Sequence, residues 1–319
     1  MTVLVRLAYD GTDFHGYARQ LAAPGRPEIR TVQGTLEAAL ADFYSQPVQT
    51  RAASRTDAGV HALGQVVGWE PPHPIPARGL MLGLLARLPQ DLGVLAVWEA
   101  SLPDGAPVDP RFWNLGKRYR YRIRSTPRRL PQTIRGEWHL PRALDVAAMQ
   151  AAARHFAGEH DFAGFRASAC QSRTTVRRLH AVTVTGRPSG DELPADPRCE
   201  VHEGGSEMGK VAEVAEVAEV VEMGKVVEVV EVVEVVEVVE VVEIDVRGEA
   251  FLQNMVRIIV GTLVEVGLGR RAPDSIPALL LTPDRRRSGA TAPPQGLTLV
   301  EVLWPASWPP SDGVAALDR

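Results

Sequence analysis

The chain of 319 residues has few of the features that mark disulfide-stabilised, metal-binding or membrane-spanning proteins. Its two cysteines, Cys170 and Cys199, form neither a disulfide framework nor a metal motif, and its eight histidines show no HxxxH or HxH spacing. No uncharged apolar run approaches the roughly 20 residues of a membrane helix, and the start of the chain lacks the charge and hydropathy pattern of a signal peptide. We therefore expect a cytoplasmic protein in a reduced compartment.

Nucleotide-binding loops are also missing, because neither GxGxxG nor GxxxxGK[ST] occurs in the sequence. The sequence thus predicts no metal and no cofactor. Hydrophobic residues make up 45% and charged residues 23% of the chain, which is typical of a globular protein with a sizeable core.

Negative charge is concentrated in one segment. Residues 210–243 hold ten Glu and two Lys, a charge of −8, which leaves +4 for the rest of a chain whose net charge is −4. A mildly basic main body permits nucleic-acid binding without arguing for it.

The same segment, 210–243, consists largely of VAE and VVE repeats. A period of three fits neither helix nor strand, since the Glu stripe would turn by about 60° per repeat on a helix and would alternate between the faces of a strand. We expect an expanded insertion in a loop between two strands, either disordered or an over-long hairpin. A regulatory or partner-binding arm is the alternative.

Interleaved helical and strand patterns favour an α/β or α+β architecture with a sheet in each half. Strands are predicted at 3–9, 176–186 and 243–248 and helices at 31–43 and 144–156. In the first helix, Thr31 is the expected N-cap and one face carries the apolar residues Val32, Leu36, Leu40 and Phe43.

The segment KRYRYRIR at 117–124 alternates with period two, as a strand does. One face, which we expect to enter a core or cleft, carries Lys117, Tyr119, Tyr121 and Ile123. The other face should be solvated or should contact phosphates, and it carries Arg118, Arg120, Arg122 and Arg124. Tyr119 is either a core tyrosine or a ring that stacks on an extruded base.

A long apolar helix is predicted over 250–267, ending at Gly267, and Arg257 lies within it. A buried guanidinium without an anion is costly. Arg257 therefore either extends its head to solvent or pairs with a carboxylate in a cleft, which would keep that carboxylate ionised.

Asp57 lies in the turn ASRTDAGVHA at 53–62. It is either a surface turn residue that accepts hydrogen bonds from nearby amides or a reactive carboxylate. No Ser/His or Cys/His motif accompanies it, and His61 is expected to be structural.

Taken together, the motifs LAYDGTDFHGYARQ, SRTDAGVHALGQVVGW, KRYRYRI, GEHDFAGFRA and NMVRIIVGTLVEVG resemble those of the tRNA pseudouridine synthase A family. The matching pieces run in order from residue 4 to about residue 304. RTDAGVHA is highly specific to that family. The Val/Glu segment and the last dozen or so residues fall outside the resemblance.

The resemblance implies roles for matched positions. Asp57 would be the catalytic carboxylate, Arg257 its ion-pair partner and Tyr119 the tyrosine that stacks on the base. Arg55 would help to hold the flipped-out nucleotide. We further expect RNA contacts from Arg19, Gln20, Lys117 and Arg118.

The resemblance also implies a fold of two ferredoxin-like domains whose sheets form a central cleft. The expected bounds are 1–104 for the domain with the Asp57 loop, 105–306 for the second domain with the insert, and 307–319 for a tail. The expected reaction is isomerisation of uridine to pseudouridine in the anticodon stem-loop of tRNA, at about positions 38 to 40, by a homodimer. A non-catalytic tRNA-binding or tRNA-folding module, an aspartate-dependent hydrolase, and a copy impaired by its acidic insert are the alternatives.

Three positions depart from the family pattern. They are Tyr17 where the family has Trp, Ser54 where it has Gly, and Leu85 where it has Asn. These departures bear on RNA contacts and loop geometry and leave the proposed catalytic groups in place.

Overall fold

The computed structural model describes residues 1–20, 29–102, 104–187 and 241–305, together with the backbone of 221–222 and 225–226. The strands are β1 (Thr2–Tyr9), β2 (Arg51–Ala52), β3 (His61–Trp69), β4 (Leu92–Ala100), β5 (Gly116–Arg124), β6 (Trp138–His139), β7 (Gly158–Asp161), β8 (Val176–Arg187), β9 (Val221–Glu222), β10 (Lys225–Val226), β11 (Val241–Gly248) and β12 (Leu297–Leu303). The helices are α1 (Val32–Tyr44), α2 (Ala77–Leu85), α3 (Pro110–Trp113), α4 (Val146–Ala153), α5 (Met255–Gly267) and α6 (Ile276–Leu281).

One mixed sheet crosses the molecule in the order β4-β1-β3-β12-β5-β11-β8-β7. Neighbours on this path run antiparallel except β12, which runs parallel to β3. The expected sheets of the two halves are therefore joined edge to edge, because the last strand pairs with both β3 and β5. The β3–β12 ladder is short and pairs only Thr298 with His61 and Leu299 with Ala62.

Helix α1 forms where the apolar periodicity predicts it, and Thr31 caps it by accepting a hydrogen bond from the Gly34 amide at 3.2 Å. Such a cap is worth about 1 kcal/mol. The buried face continues from Leu40 to Tyr44, whereas Phe43, predicted to be on this face, is only half-buried. Residues four apart share a helix face, so Tyr44 continues the buried face formed by Leu36 and Leu40.

Helix α5 is apolar on nearly all sides and lies in the core, packed against α4. It ends at Gly267 as predicted, but it begins at Met255, five residues later than position 250. The delay has a backbone cause: Asn254 adopts a left-handed conformation (φ 62°), which cannot be part of a right-handed helix. Residues 250–254 form a loop instead. Within α5, a Cβ on Gly261 would lie 1.8 Å from a backbone carbonyl oxygen, that of Ala290.

The arginine face of β5 differs from the prediction. Arg120 donates to Asp245 and Arg122 donates to Glu243, both acids lying on β11. Arg124 is buried and donates to Glu137 at 2.6 Å. These guanidinium groups hold neighbouring segments together and are not free for phosphates.

The predicted insert lies outside the described residues, apart from β9, β10 and the start of β11. Its described flanks are adjacent, since Arg187 at the end of β8 pairs with Val241 at the start of β11. None of the helices that the structure describes is long and apolar enough to cross a membrane.

Candidate active site

A cleft of about 1380 Å³ lies where the loop after β2, strand β5 and the loop before α5 meet. Six of the eight site residues predicted from the sequence line this cleft, namely Asp57, Arg55, Tyr119, Arg257, Lys117 and Gln20. The fold thus brings together side chains that are distant in the chain, such as Asp57 and Arg257, which are 200 positions apart.

The buried side-chain amide of Gln65 makes two hydrogen bonds to the backbone of the Asp57 loop. The Gln65 Nε2 donates to the Ser54 carbonyl oxygen at 2.7 Å, and its Oε1 accepts from the Ser54 amide at 3.3 Å. The hydroxyls of Tyr9 and Thr56 lie 2.8 Å apart in a second buried hydrogen bond. Both contacts fix the backbone just before Asp57, so the carboxylate is presented from a rigid base.

The loop that follows β1 packs directly on this segment. Gly16 has a φ of +94°, and a Cβ there would lie 2.9 Å from the carbonyl oxygen of Thr56. The next amide, that of Tyr17, donates to the same oxygen at 3.0 Å. Tyr17, one of the departures from the family pattern, is buried and lines the cleft.

Arg257 and Asp57 form an ion pair in the cleft. Their closest atoms, Nη1 and Oδ2, lie 3.8 Å apart, and their side chains are 15% and 32% exposed. The Arg257 Nε donates to the Ala292 carbonyl at 2.7 Å and its Nη1 donates to Asn254 Oδ1 at 2.9 Å. These two bonds orient the guanidinium. The sequence leaves two alternatives for Arg257, a head group extended to solvent or a pair with a carboxylate. In the structure Arg257 pairs with the carboxylate of Asp57.

Burial acts on both charges of the pair. It raises the pKa of the Asp57 carboxyl, against the opposing effects of the Arg257 charge and the Asn254 amide. Burial likewise lowers the pKa of the Arg257 guanidinium. Desolvation therefore outweighs the attraction across 3.8 Å. The result is an oriented carboxylate that is more basic than an exposed one, which suits a nucleophile or a general base.

Tyr119 is 5% exposed, and its hydroxyl lies 2.8 Å from the Ser54 Oγ. Its ring packs edge-to-face on Phe251, with the centroids 5.0 Å apart. Burial raises the pKa of Tyr119 to about 12, so the phenol is neutral at physiological pH. The Ser54 hydroxyl, absent where the family has Gly, thus bonds directly to the tyrosine of the cleft.

The remaining predicted RNA contacts are divided between two places. Arg55 and Gln20 are exposed at the cleft. Arg19 and Arg118 lie outside the cleft lining and form ion pairs. The Arg19 Nη1 lies 3.8 Å from the Glu37 Oε2, and the Arg118 Nε lies 3.7 Å from the Glu301 Oε2. The third departure, Leu85, lies at the end of α2 away from the cleft lining.

Sequence reasoning missed several residues of this site. The expected helix over 250–267 includes Asn254, and the sequence around Gln65 carries no local sign of a role in the site. The cleft also contains Arg111 and Phe112, which lie on the short helix α3. Within the described ranges, no group of three or more His, Cys, Asp or Glu side chains could hold a metal ion.

The matching family model and the similar proteins carry the same description, tRNA pseudouridine synthase. Residues 152–305 match the family model described as tRNA pseudouridine synthase. A protein named tRNA pseudouridine synthase A from Geotalea uraniireducens is 41% identical over 298 residues, which are 93% of this chain and 97% of the relative. Proteins of the same name from Geobacter sulfurreducens and Myxococcus xanthus are 38% and 36% identical and cover 94% and 93% of this chain, and 98% and 90% of their own lengths.

These relatives span nearly the whole chain at well above 30% identity. The chain belongs to the tRNA pseudouridine synthase A family.

Proposed function

We propose that the protein isomerises uridine to pseudouridine in tRNA, with Asp57 as its catalytic carboxylate and without a cofactor. The observation that carries the proposal is the pair of Asp57 and Arg257, 3.8 Å apart in a cleft that also holds Tyr119. Family membership supports the same reaction.

The chemistry determines what such a site must do. A uridine inside a stem or loop hides its reacting atoms, so the nucleotide has to be extruded into the cleft. The C1′–N1 bond breaks, the uracil turns, and a C1′–C5 bond forms. C5 loses its proton and N1 gains one, so product and substrate are isomers and no external reagent is consumed.

Asp57 acts at the ribose, either by attack on C1′ or by removal of a ribose proton. Both routes need an ionised carboxylate, and Arg257 favours that form. Tyr119 packs against the base in the dry part of the cleft. Its neutral phenol can donate or accept a hydrogen bond there. Because its pKa is raised, the phenol is not ionised at neutral pH and is therefore not a phenolate base in the resting site.

Membership of the family supports a more specific proposal for the substrate and the assembly. We propose the uridines at about positions 38 to 40 of the anticodon stem-loop as targets, a homodimer as the working form and the cytoplasm as the location. Arg55, Arg19, Gln20, Lys117 and Arg118 are the proposed RNA contacts. The regions 1–104 and 105–306 are proposed as two ferredoxin-like domains, a division supported by the short β3–β12 ladder.

Mapping pseudouridine on unmodified tRNA transcripts tests the proposal. The expected product is pseudouridine in the anticodon arm, lost site by site when each target uridine is replaced by cytidine. A protein that binds tRNA but leaves every uridine unchanged would instead be a binding module.

A further inference from the structure

Lys117 lies in the cleft wall with most of its side chain buried and its amine accessible from the cleft. The residue is only 8% exposed and lines the cleft. Burial, together with the nearby charge of Arg111, lowers the pKa of Lys117 to about 8. Among the described residues, no hydrogen bond or ion pair joins its amine to a partner. A partly desolvated charge without a partner in the protein is unfavourable, so an anion that enters the cleft would stabilise it.

The carboxylate that caps α3, that of Asp109, is already engaged. Asp109 accepts from the Arg111 amide at 2.8 Å as the helix cap, and its other oxygen lies 3.5 Å from Arg51 Nε. Arg51 in turn pairs with Glu70. The guanidinium of Arg111 and the ammonium of Lys117 therefore leave this end of the cleft positively charged.

An exposed aromatic ring lies beside these two cations. Phe112 is 76% exposed and lines the cleft, and the guanidinium carbon of Arg111 lies 5.5 Å from its ring centroid. The neighbouring Trp113, on the same helix, is 45% exposed and does not line the cleft. An open aromatic face next to cations is what single-stranded RNA uses, since any base stacks on it.

The position of this group relative to the reaction centre is set by β5. Lys117 and Tyr119 are two residues apart on one strand face, which places their Cα atoms about 6.6 Å from each other. Tyr119 is the proposed contact of the extruded base. The distance from Tyr119 to Lys117 along the strand places Lys117 where the phosphate next to the extruded nucleoside would lie.

We propose that Arg111, Phe112 and Lys117 form a subsite for the nucleotide adjacent to the extruded uridine. Phe112 stacks on the base of that nucleotide, and Lys117 and Arg111 bind the phosphate that joins it to the uridine. The proposal rests on the proposed function, because it assumes an RNA strand in the cleft.

The test measures tRNA dissociation constants for the full chain at several salt concentrations. Phe112→Ala should weaken binding by about 5- to 100-fold, the effect of losing one stacked base. Lys117→Met should weaken binding and reduce the slope of log Kd against log salt by about 0.7 to 0.9, the value of one phosphate contact. The matched controls are Trp113→Ala and Arg154→Met, an exposed arginine outside the cleft lining, and both should stay within about twofold of the wild type.

Stability separates this role from a structural one. Lys117→Met removes an unpaired, partly desolvated charge and keeps a side chain of similar size, so its melting temperature should equal or exceed that of the wild type. Wild-type affinity and salt slope in both cleft variants, while the wild type still makes pseudouridine, would overturn the subsite and leave the proposed function intact. Joint loss of stability and binding in Lys117→Met would assign Lys117 a structural role and also overturn it. Absence of pseudouridine with the wild type would instead count against the proposed function.

Discussion

Replacing Arg257 by methionine tests the electrostatic role of the pair with Asp57. Two unit charges 3.8 Å apart attract by about 1 kcal/mol in water and by about 4 kcal/mol at an effective dielectric constant of ~20. The side chains are 15% and 32% exposed, which places the pair between these limits. Losing that attraction should lower kcat/KM at neutral pH by roughly 5- to 1000-fold.

The pH profile gives the sign of the effect. The pKa of Asp57 is already raised by burial, and Arg257 opposes that rise. Without the cation the carboxyl pKa rises further, so the ionised fraction at a given pH falls. The acidic limb of kcat/KM should therefore move to higher pH in Arg257→Met.

Two comparison variants make this experiment specific. Arg257→Lys keeps a positive charge, so its acidic limb should stay nearer to that of the wild type, although one ammonium cannot reproduce the bonds to Asn254 and Ala292. Arg271→Met breaks a similar pair with Glu265 outside the cleft and should leave the profile unchanged. A folded Arg257→Met variant with wild-type activity and an unshifted profile would show that Arg257 does not favour the ionised form of Asp57.

Other predictions concern the supports of the site. Ser54→Ala removes the hydroxyl that bonds to Tyr119, so kcat should fall several-fold while the KM for tRNA changes little, as steady-state kinetics would reveal. Gln65→Leu leaves buried backbone groups of the catalytic loop unpaired, and denaturant unfolding should show a loss of about 1 to 3 kcal/mol together with reduced kcat. Gly261→Ala would press a methyl group into a backbone carbonyl, and we expect a melting temperature lower by several degrees or an insoluble protein. Replacing 188–240 by an Asn-Gly turn joins strands that are already paired, so calorimetry should find a folded protein and the kinetic assay a retained kcat; loss of both would assign the segment a structural role.

The elements with clear periodicity could be predicted from the sequence alone. Strand 117–124 was recognised by its alternation, and the inward direction of Tyr119 followed from it. Helix α1 followed from apolar residues at helical spacing after Thr31. Local patterns suffice in these cases, because the periods of helix and strand are determined by the backbone itself.

Features that depend on distant partners could not be predicted in this way. The sequence predicts that the arginines of β5 meet solvent or phosphates. The pairing of Arg120 and Arg122 with acids of β11 depends on a register between segments more than 120 residues apart. The left-handed Asn254 ends a run that reads as continuous helix. The burial argument for Arg257 required either solvent or a carboxylate, but only the family resemblance singled out Asp57, because nothing local links the two positions.

The most direct test of the account is pseudouridine formation by Asp57→Ala compared with the wild type, on unmodified tRNA transcripts and without added metal or cofactor. Circular dichroism and tRNA binding would first establish that the variant is folded and retains its substrate. We expect pseudouridine in the anticodon arm with the wild type and none with Asp57→Ala. Full turnover by the folded variant would contradict the claim that the Asp57 carboxylate performs the reaction.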